Sequence, residues 1–87
     1  MLIITCHNFD KDRAKLPSKI LGPLRERLDL FKVNPFAEIL NNHKLHGTLR
    51  NLRSINITSD YRLHYEELDD NVIRLMRVGT HSELYGK

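Results

Sequence analysis

One cysteine, no tryptophan, three prolines and four glycines leave this 87-residue chain short of several structural devices, and each scarcity excludes something. With Cys6 alone, no intramolecular disulfide can form, which fits a reducing, cytoplasmic compartment. The residues before it, Leu2–Thr5, are strand formers, so Cys6 reads as a small buried apolar side chain rather than a nucleophile. The glycines form no phosphate-cradling loop, no zinc-finger spacing occurs, and no Ser–His–Asp set stands in recognisable context. These absences argue against an isolated nucleotide-binding fold and against a serine hydrolase. No apolar run approaches the roughly 20 residues that span a bilayer. Met1–Cys6 is too short for a signal-peptide core, and no Lys or Arg precedes it, so no membrane segment is expected.

What remains is an ordinary balance of 40% hydrophobic and 29% charged residues, which predicts one folded domain over residues 1–87. A domain this small leaves much of its surface exposed and is marginally stable alone, so a tight partner would stabilise it by mass action. The formal charge of +3 suits a polyanion such as RNA, or an acidic protein segment.

The apolar, β-branched run Leu2–Thr5 predicts a first strand. Asn8 or Asp10 is a candidate cap for a first helix, and Pro17 suits the opening turn of a second. Ile20, Leu21, Leu24, Leu28 and Phe31 recur at helical spacing, with Gly22-Pro23 expected to kink or restart the helix and Asn34-Pro35 to end it. Residues 36–40 allow one more helical turn, and 41–48 read as a loop. Leu52, Ile55 and Ile57 then mark a second strand. Tyr61, Leu63 and Tyr65 alternate with Arg62, His64 and Glu66 in the period of a half-exposed strand, and residues 72–78 form a more continuously apolar one. Thr58-Ser59-Asp60 and Asp69-Asp70-Asn71 are the turns between them. The expected architecture is α+β: an N-terminal strand, two helices, then a three-stranded antiparallel meander, with the helices on one face and polar side chains on the other.

The basic and imidazole residues gather late in the chain: His43, Lys44, His46, Arg50, Arg53, Arg62, His64, Arg74, Arg77 and His81. On one concave face they would suit phosphodiester cleavage. Arginines pair with phosphate oxygens and stabilise the charge of the transition state, and histidines exchange protons near neutrality. The 2′-hydroxyl of RNA is an internal nucleophile, so this chemistry needs no metal. Composition alone favours a solvated strand face with scattered charge over such a site. The pair His43/His46 lacks the cysteine or carboxylate companions of a zinc site, and no metal or cofactor is expected. Asp60 reads first as a turn residue bonding backbone amides. His64 reads as a partly buried strand residue. Tyr85, beside Gly86, is either a tail residue or an aromatic shelf for an unpaired base.

Three stretches carry a resemblance: NNHKLHG at 41–47, LRSINITSDYRLHY at 52–65 and RVGTHSELYG at 77–86. The last is the most specific, since Gly-Thr-His, a polar pair, Leu and an aromatic are not accounted for by packing. From residue 40 onward the chain resembles the C-terminal half of YafQ-type toxins of the RelE/ParE superfamily. The first half, with Phe9, Lys11 and its leucines, fits them loosely.

The resemblance implies a RelE-like microbial ribonuclease fold and the toxin of a bacterial type II toxin–antitoxin system. It implies a metal-independent endoribonuclease that cuts messenger RNA, typically on the ribosome. The implied partners are an acidic cognate antitoxin encoded nearby, mRNA, the ribosome, and operator DNA only as the toxin–antitoxin complex. Position by position, His43 matches the loop histidine, Asp60 the acidic residue before the third strand, His81 the histidine of Gly-Thr-His, and Tyr85 an aromatic that is often Phe. Arg77 and Arg53 match basic positions near the phosphate. One departure stands out: where several relatives have a further catalytic histidine on the second strand, this chain has Asn56, which cannot shuttle a proton. Either His46 substitutes, or His43, Asp60 and His81 suffice, or activity is weak. Lys44, Arg50, Arg53 and Arg62 are the candidate substrate-binding residues. The rival expectations are a ParE-like toxin that poisons gyrase without the histidines, and a binding module that holds RNA or antitoxin without cutting.

Overall fold

A computed structural model describes residues 1–86. Strand β1 (Leu2–Thr5) leads into helix α1 (His7–Ala14) and helix α2 (Ser18–Val33). After a short 3₁₀ turn at Glu38–Leu40 come β2 (His43–Lys44), a second 3₁₀ turn at Gly47–Leu49, β3 (Arg53–Asn56), β4 (Tyr61–Asp69), β5 (Val72–Thr80) and α3 (His81–Tyr85). The sheet has five strands in the order β1-β5-β4-β3-β2. The expected antiparallel meander is β3-β4-β5. The sheet as a whole is mixed, because β1 joins the far side of β5 in parallel and β2 adds an antiparallel edge.

Local chemistry sets the boundaries. The β3–β4 turn closes on the Thr58 hydroxyl, which accepts from the amides of Asp60 (3.3 Å) and Tyr61 (3.1 Å). The β4–β5 turn closes on Asp69 Oδ1, which accepts from the Asn71 amide at 3.0 Å. Neither Asn8 nor Asp10 caps α1. The cap position is Cys6 with no side-chain bond, and its Sγ donates instead to the Met76 carbonyl at 3.4 Å. Helix α2 runs unbroken through Gly22-Pro23. Pro23 is its sixth residue and forfeits a single backbone bond, and the helix ends at Asn34 before Pro35, as expected.

Helices and sheet meet over Phe9, Ile20, Leu24, Phe31, Ile55, Leu63, Tyr65, Leu75 and Val78. Leu21 belongs to the sequence pattern but turns outward, 37% exposed. Phe31 meets Tyr65 edge to face at 4.9 Å between ring centroids. The buried Tyr65 hydroxyl accepts from Asn42 Nδ2 at 2.8 Å, and Asn42 Oδ1 accepts from Arg53 Nε at 2.8 Å. Burial pushes the Tyr65 phenol pKa upward.

The face away from these helices is not left wholly to solvent. Helix α3 folds back onto β5 and β4 there. Thr80 caps it, its hydroxyl accepting from the Glu83 amide at 3.2 Å while Glu83 Oε1 accepts from the Thr80 amide at 2.8 Å. Gly79 permits the reversal: a Cβ there would lie 2.9 Å from Glu83 Oε1.

Candidate functional site

Strand register builds the site. Across four neighbouring strands, His43 on β2 stands opposite Ser54 on β3, Ser54 opposite His64 on β4, and His64 opposite Arg77 on β5. Directly opposed residues share a face, so this row runs across the side of the sheet that carries α3. His81 opens α3 and Tyr85 closes it, one helical turn apart, with ring centroids 4.4 Å apart. The Tyr85 ring lies 5.2 Å from the His64 ring, and the phenol oxygen is 3.0 Å from His64 Nε2.

The imidazoles differ in exposure and in bonding. His43 is exposed, and its Nδ1 donates to the Asn41 carbonyl at 2.8 Å. A carbonyl can only accept, so the neutral ring keeps its lone pair on Nε2. Asn41 takes a left-handed conformation (φ 47°), open to asparagine at modest cost, at the start of this arm. His64 is 1% exposed. Burial, then the nearby charges of Arg77, His43 and His81, lowers its pKa from 6.5 to about 4, so it is neutral at pH 7. The strand row sets His43 and Arg77 to either side of this imidazole, and Tyr85, packed on it, brings His81 alongside. His81 is exposed, and its amide donates to the Asp60 carbonyl at 3.0 Å, which ties α3 to the β3–β4 turn.

Arg77 is oriented from below. Its Nε donates to Asp12 Oδ2 at 2.6 Å and its Nη2 to Asp12 Oδ1 at 3.3 Å, and the Val78 amide donates to the same Oδ2 at 3.1 Å. Beyond Thr5, strand β1 no longer covers β5, and the Asp12 carboxylate takes the ladder position it leaves. Hydrogen bonding to Asp12 raises the Arg77 pKa further, and the guanidinium, 42% exposed, stays charged and reachable.

The sequence-nominated residues therefore divide. His43, Arg77, His81 and Tyr85 converge, and Asp60 joins them through its backbone while its carboxylate sits exposed. Arg62 lies on the same face, but its Nη1 donates to the carbonyls of Thr58, Ser59 and Tyr61 and staples the turn. Arg53 stands opposite Tyr65, on the helix-bearing face, bonded to Asn42 and lying 5.3 Å from the Phe36 ring. Lys44, opposite Arg53, shares a shallow depression with Arg50, Arg53, Glu66 and Glu67, apart from the imidazole row. His46 is exposed beyond β2, and its ring has no hydrogen-bond partner among the described residues. The segment 41–48, read as a loop, holds β2, and that strand is what gives His43 its place in the row.

Sequence reasoning passed over Asp12 and underrated His64. Asp12 looks like any surface helix residue, and its bond to Arg77 spans 65 positions. His64 was legible as a strand residue, but its cover comes from α3. The signal for α3 was present as Thr80-x-x-Glu83, the pattern of a capping box. Two buried polar atoms on this face, Ser54 Oγ and Asn56 Oδ1, have no hydrogen-bond partner among the described residues.

Among the described residues no group of three or more His, Cys, Asp or Glu is arranged to hold a metal ion, and no helix is long and apolar enough to cross a membrane. No curated protein matches the chain by sequence. Solved structures match its fold closely. YafQ from Escherichia coli strain BL21(DE3) is 28% identical, with 97% of each chain covered and a TM-score of 0.80. YafQ in the E. coli DinJ–YafQ toxin–antitoxin complex is 28% identical, with 97% of this chain and 96% of that chain covered and a TM-score of 0.78. A YoeB/ParE toxin from Agrobacterium tumefaciens shares the fold at 16% identity, with 93% and 99% covered and a TM-score of 0.76. The family model for YafQ, the bacterial toxin of type II toxin–antitoxin systems, matches residues 3–86. With nearly its whole length matched by that model and its strand row and C-terminal helix in place, the chain belongs to the YafQ family of type II toxin–antitoxin toxins.

Proposed function

We propose that this toxin is a metal-independent endoribonuclease that cuts messenger RNA by attack of the 2′-hydroxyl on the adjacent phosphodiester. The observation that carries the reading is the convergence of a base-competent imidazole (His43), a second exposed imidazole (His81), a charged guanidinium (Arg77) and an aromatic ring (Tyr85) on one face. His43 Nε2, its lone pair directed by the bond from Nδ1 to Asn41, takes the proton from the 2′-hydroxyl. The 2′-oxygen–phosphorus bond forms and the bond from phosphorus to the 5′-oxygen breaks. His81, protonated, gives its proton to the departing 5′-oxygen and leaves a 2′,3′-cyclic phosphate. Arg77, held by Asp12, stabilises the non-bridging oxygens as charge builds on them. Tyr85 stacks on a base next to the scissile bond. Asp60 acts through its carbonyl, which fixes His81.

Lys44 and Arg50, in their separate depression, would meet RNA backbone flanking the cut, and the ribosome would be the setting in which a transcript is presented, in the cytoplasm. An acidic cognate antitoxin, the counterpart of DinJ in the E. coli complex, would cover this basic face, and the pair together would bind operator DNA. The second reading, a module that binds RNA without cutting, is favoured by Asn56 alone, whose buried carbonyl oxygen supplies no proton.

Purified wild type and His81→Ala, given defined RNA with and without translating ribosomes, decide between them. Cleavage to cyclic-phosphate ends by wild type and its loss in the variant support the proposal. Equal cleavage by both removes His81 from the mechanism, and binding without cleavage selects the second reading.

A further inference from the structure

His64 is an unusual residue for its place. On β4 its neighbours Leu63 and Tyr65 point into the core, and His64 points the other way, yet it is as buried as they are. Its cover is Tyr85, and its Nε2 meets the Tyr85 hydroxyl at 3.0 Å. An aliphatic side chain would fill the same volume on a strand between Ser54 and Arg77. What it would not do is bond a phenol. Of the other polar groups in the row, the Ser54 hydroxyl is fully buried and bonds nothing among the described residues, and Arg77 is turned to Asp12. Tyr85 is thus gripped at two points: its hydroxyl by His64 and its ring by His81, with centroids 4.4 Å apart.

We propose that His64 is a positioning residue, which through its hydrogen bond to the Tyr85 hydroxyl locks that ring beside His81 and sets the surface on which an RNA base stacks before RNA arrives. This rests on the RNA-cleaving reading above. A ring already held in its working orientation spares the ordering cost that a free tail would incur on binding. A neutral His64 also suits the task, because it adds no charge to compete with Arg77 for the phosphate. Its role is separate from proton transfer: with a pKa near 4 it neither donates nor accepts a proton in the cleavage at neutral pH.

The test is a double-mutant cycle on the whole chain with Tyr85→Phe, which keeps the ring and loses the hydroxyl, His64→Leu, and the pair together. The probe is an RNA oligonucleotide made uncleavable by 2′-O-methylation at the scissile position. The bond is worth about 1 kcal/mol, so each single change is expected to weaken binding about fivefold. The double is expected to be no weaker than either single, since all three variants lack the same bond. Faster amide exchange across α3 in the single variants, measured without RNA, is the matching structural sign. Unchanged affinity in Tyr85→Phe, or losses that simply add, overturn the proposal. If His64→Leu does not fold, Tyr85→Phe decides alone through its affinity and α3 exchange. A wild type that binds the RNA neither free nor on ribosomes overturns the nuclease reading and this inference with it. A wild type that binds RNA beside unaffected variants overturns only the inference.

Discussion

Acidification from pH 7 to about 4.5 will destabilise this fold through one buried ring. His64 is neutral in the folded state because burial first, and then Arg77, His43 and His81, lower its pKa from 6.5 to about 4. In the unfolded chain it titrates near 6.5. Between those values the unfolded state binds a proton that the folded state refuses, so the contribution is whole above pH 6.5 and drains away as the pH falls toward 4. At about 1.4 kcal/mol per pKa unit, the full depression corresponds to about 3 kcal/mol. Water has access along the half-buried Tyr85, so screening reduces the expected loss to about 1–2 kcal/mol. That is a sizeable part of the total stability of a domain this small. Urea unfolding of wild type and His64→Gln at pH 7, 6, 5 and 4.5 measures it, because glutamine can still bond Tyr85 but does not titrate. The wild-type midpoint should fall more steeply with acid than the variant's. Parallel curves would refute the assignment of the acid sensitivity to His64.

The same geometry makes three further predictions. Removing His43 or His81 as alanine should slow RNA cleavage by about 10²–10⁴-fold with the melting temperature little changed, since both rings are exposed. Asp12→Ala should cost about 1–3 kcal/mol in thermal or urea unfolding, because it strands the Val78 amide and frees Arg77, and it should also reduce cleavage by releasing the guanidinium. Gly79→Ala should push Glu83 off the Thr80 amide, at a cost of about 1 kcal/mol, and speed amide exchange in α3 while leaving the core strands protected.

Much of this molecule could be read from its residues, and what escaped did so for physical reasons. Tyr61–Tyr65 announced its strand because one face meets the apolar core and the other carries polar side chains, so the alternation is written in polarity even though His64 is buried too. β2 left no such mark. His43 and Lys44 are both polar and exposed, and they are a strand only because the backbone of β3 pairs with them. Arg53 joined the nominated phosphate-binding set by motif, yet its register opposite Tyr65 puts it on the helix side of the sheet. A face assignment of that kind needs the pairing as well as the strand. His43, Arg77, His81 and Tyr85 were legible as a group because a short motif holds three of them and His43 precedes a glycine-marked turn. Asp12 was invisible, since a long-range tie has no local pattern.

The parallel pairing of β1 with β5 carries a consequence for how the protein is made. Strand β1 finds its partner only once residues 72–75 have followed it, so the sheet closes across about seventy residues of intervening chain. Contacts of such long range slow folding. Meanwhile the ring that shields His64, and the imidazole packed against it, belong to α3, which lies later still. Until α3 has been added and docks on the finished sheet, the polypeptide has no assembled cleft.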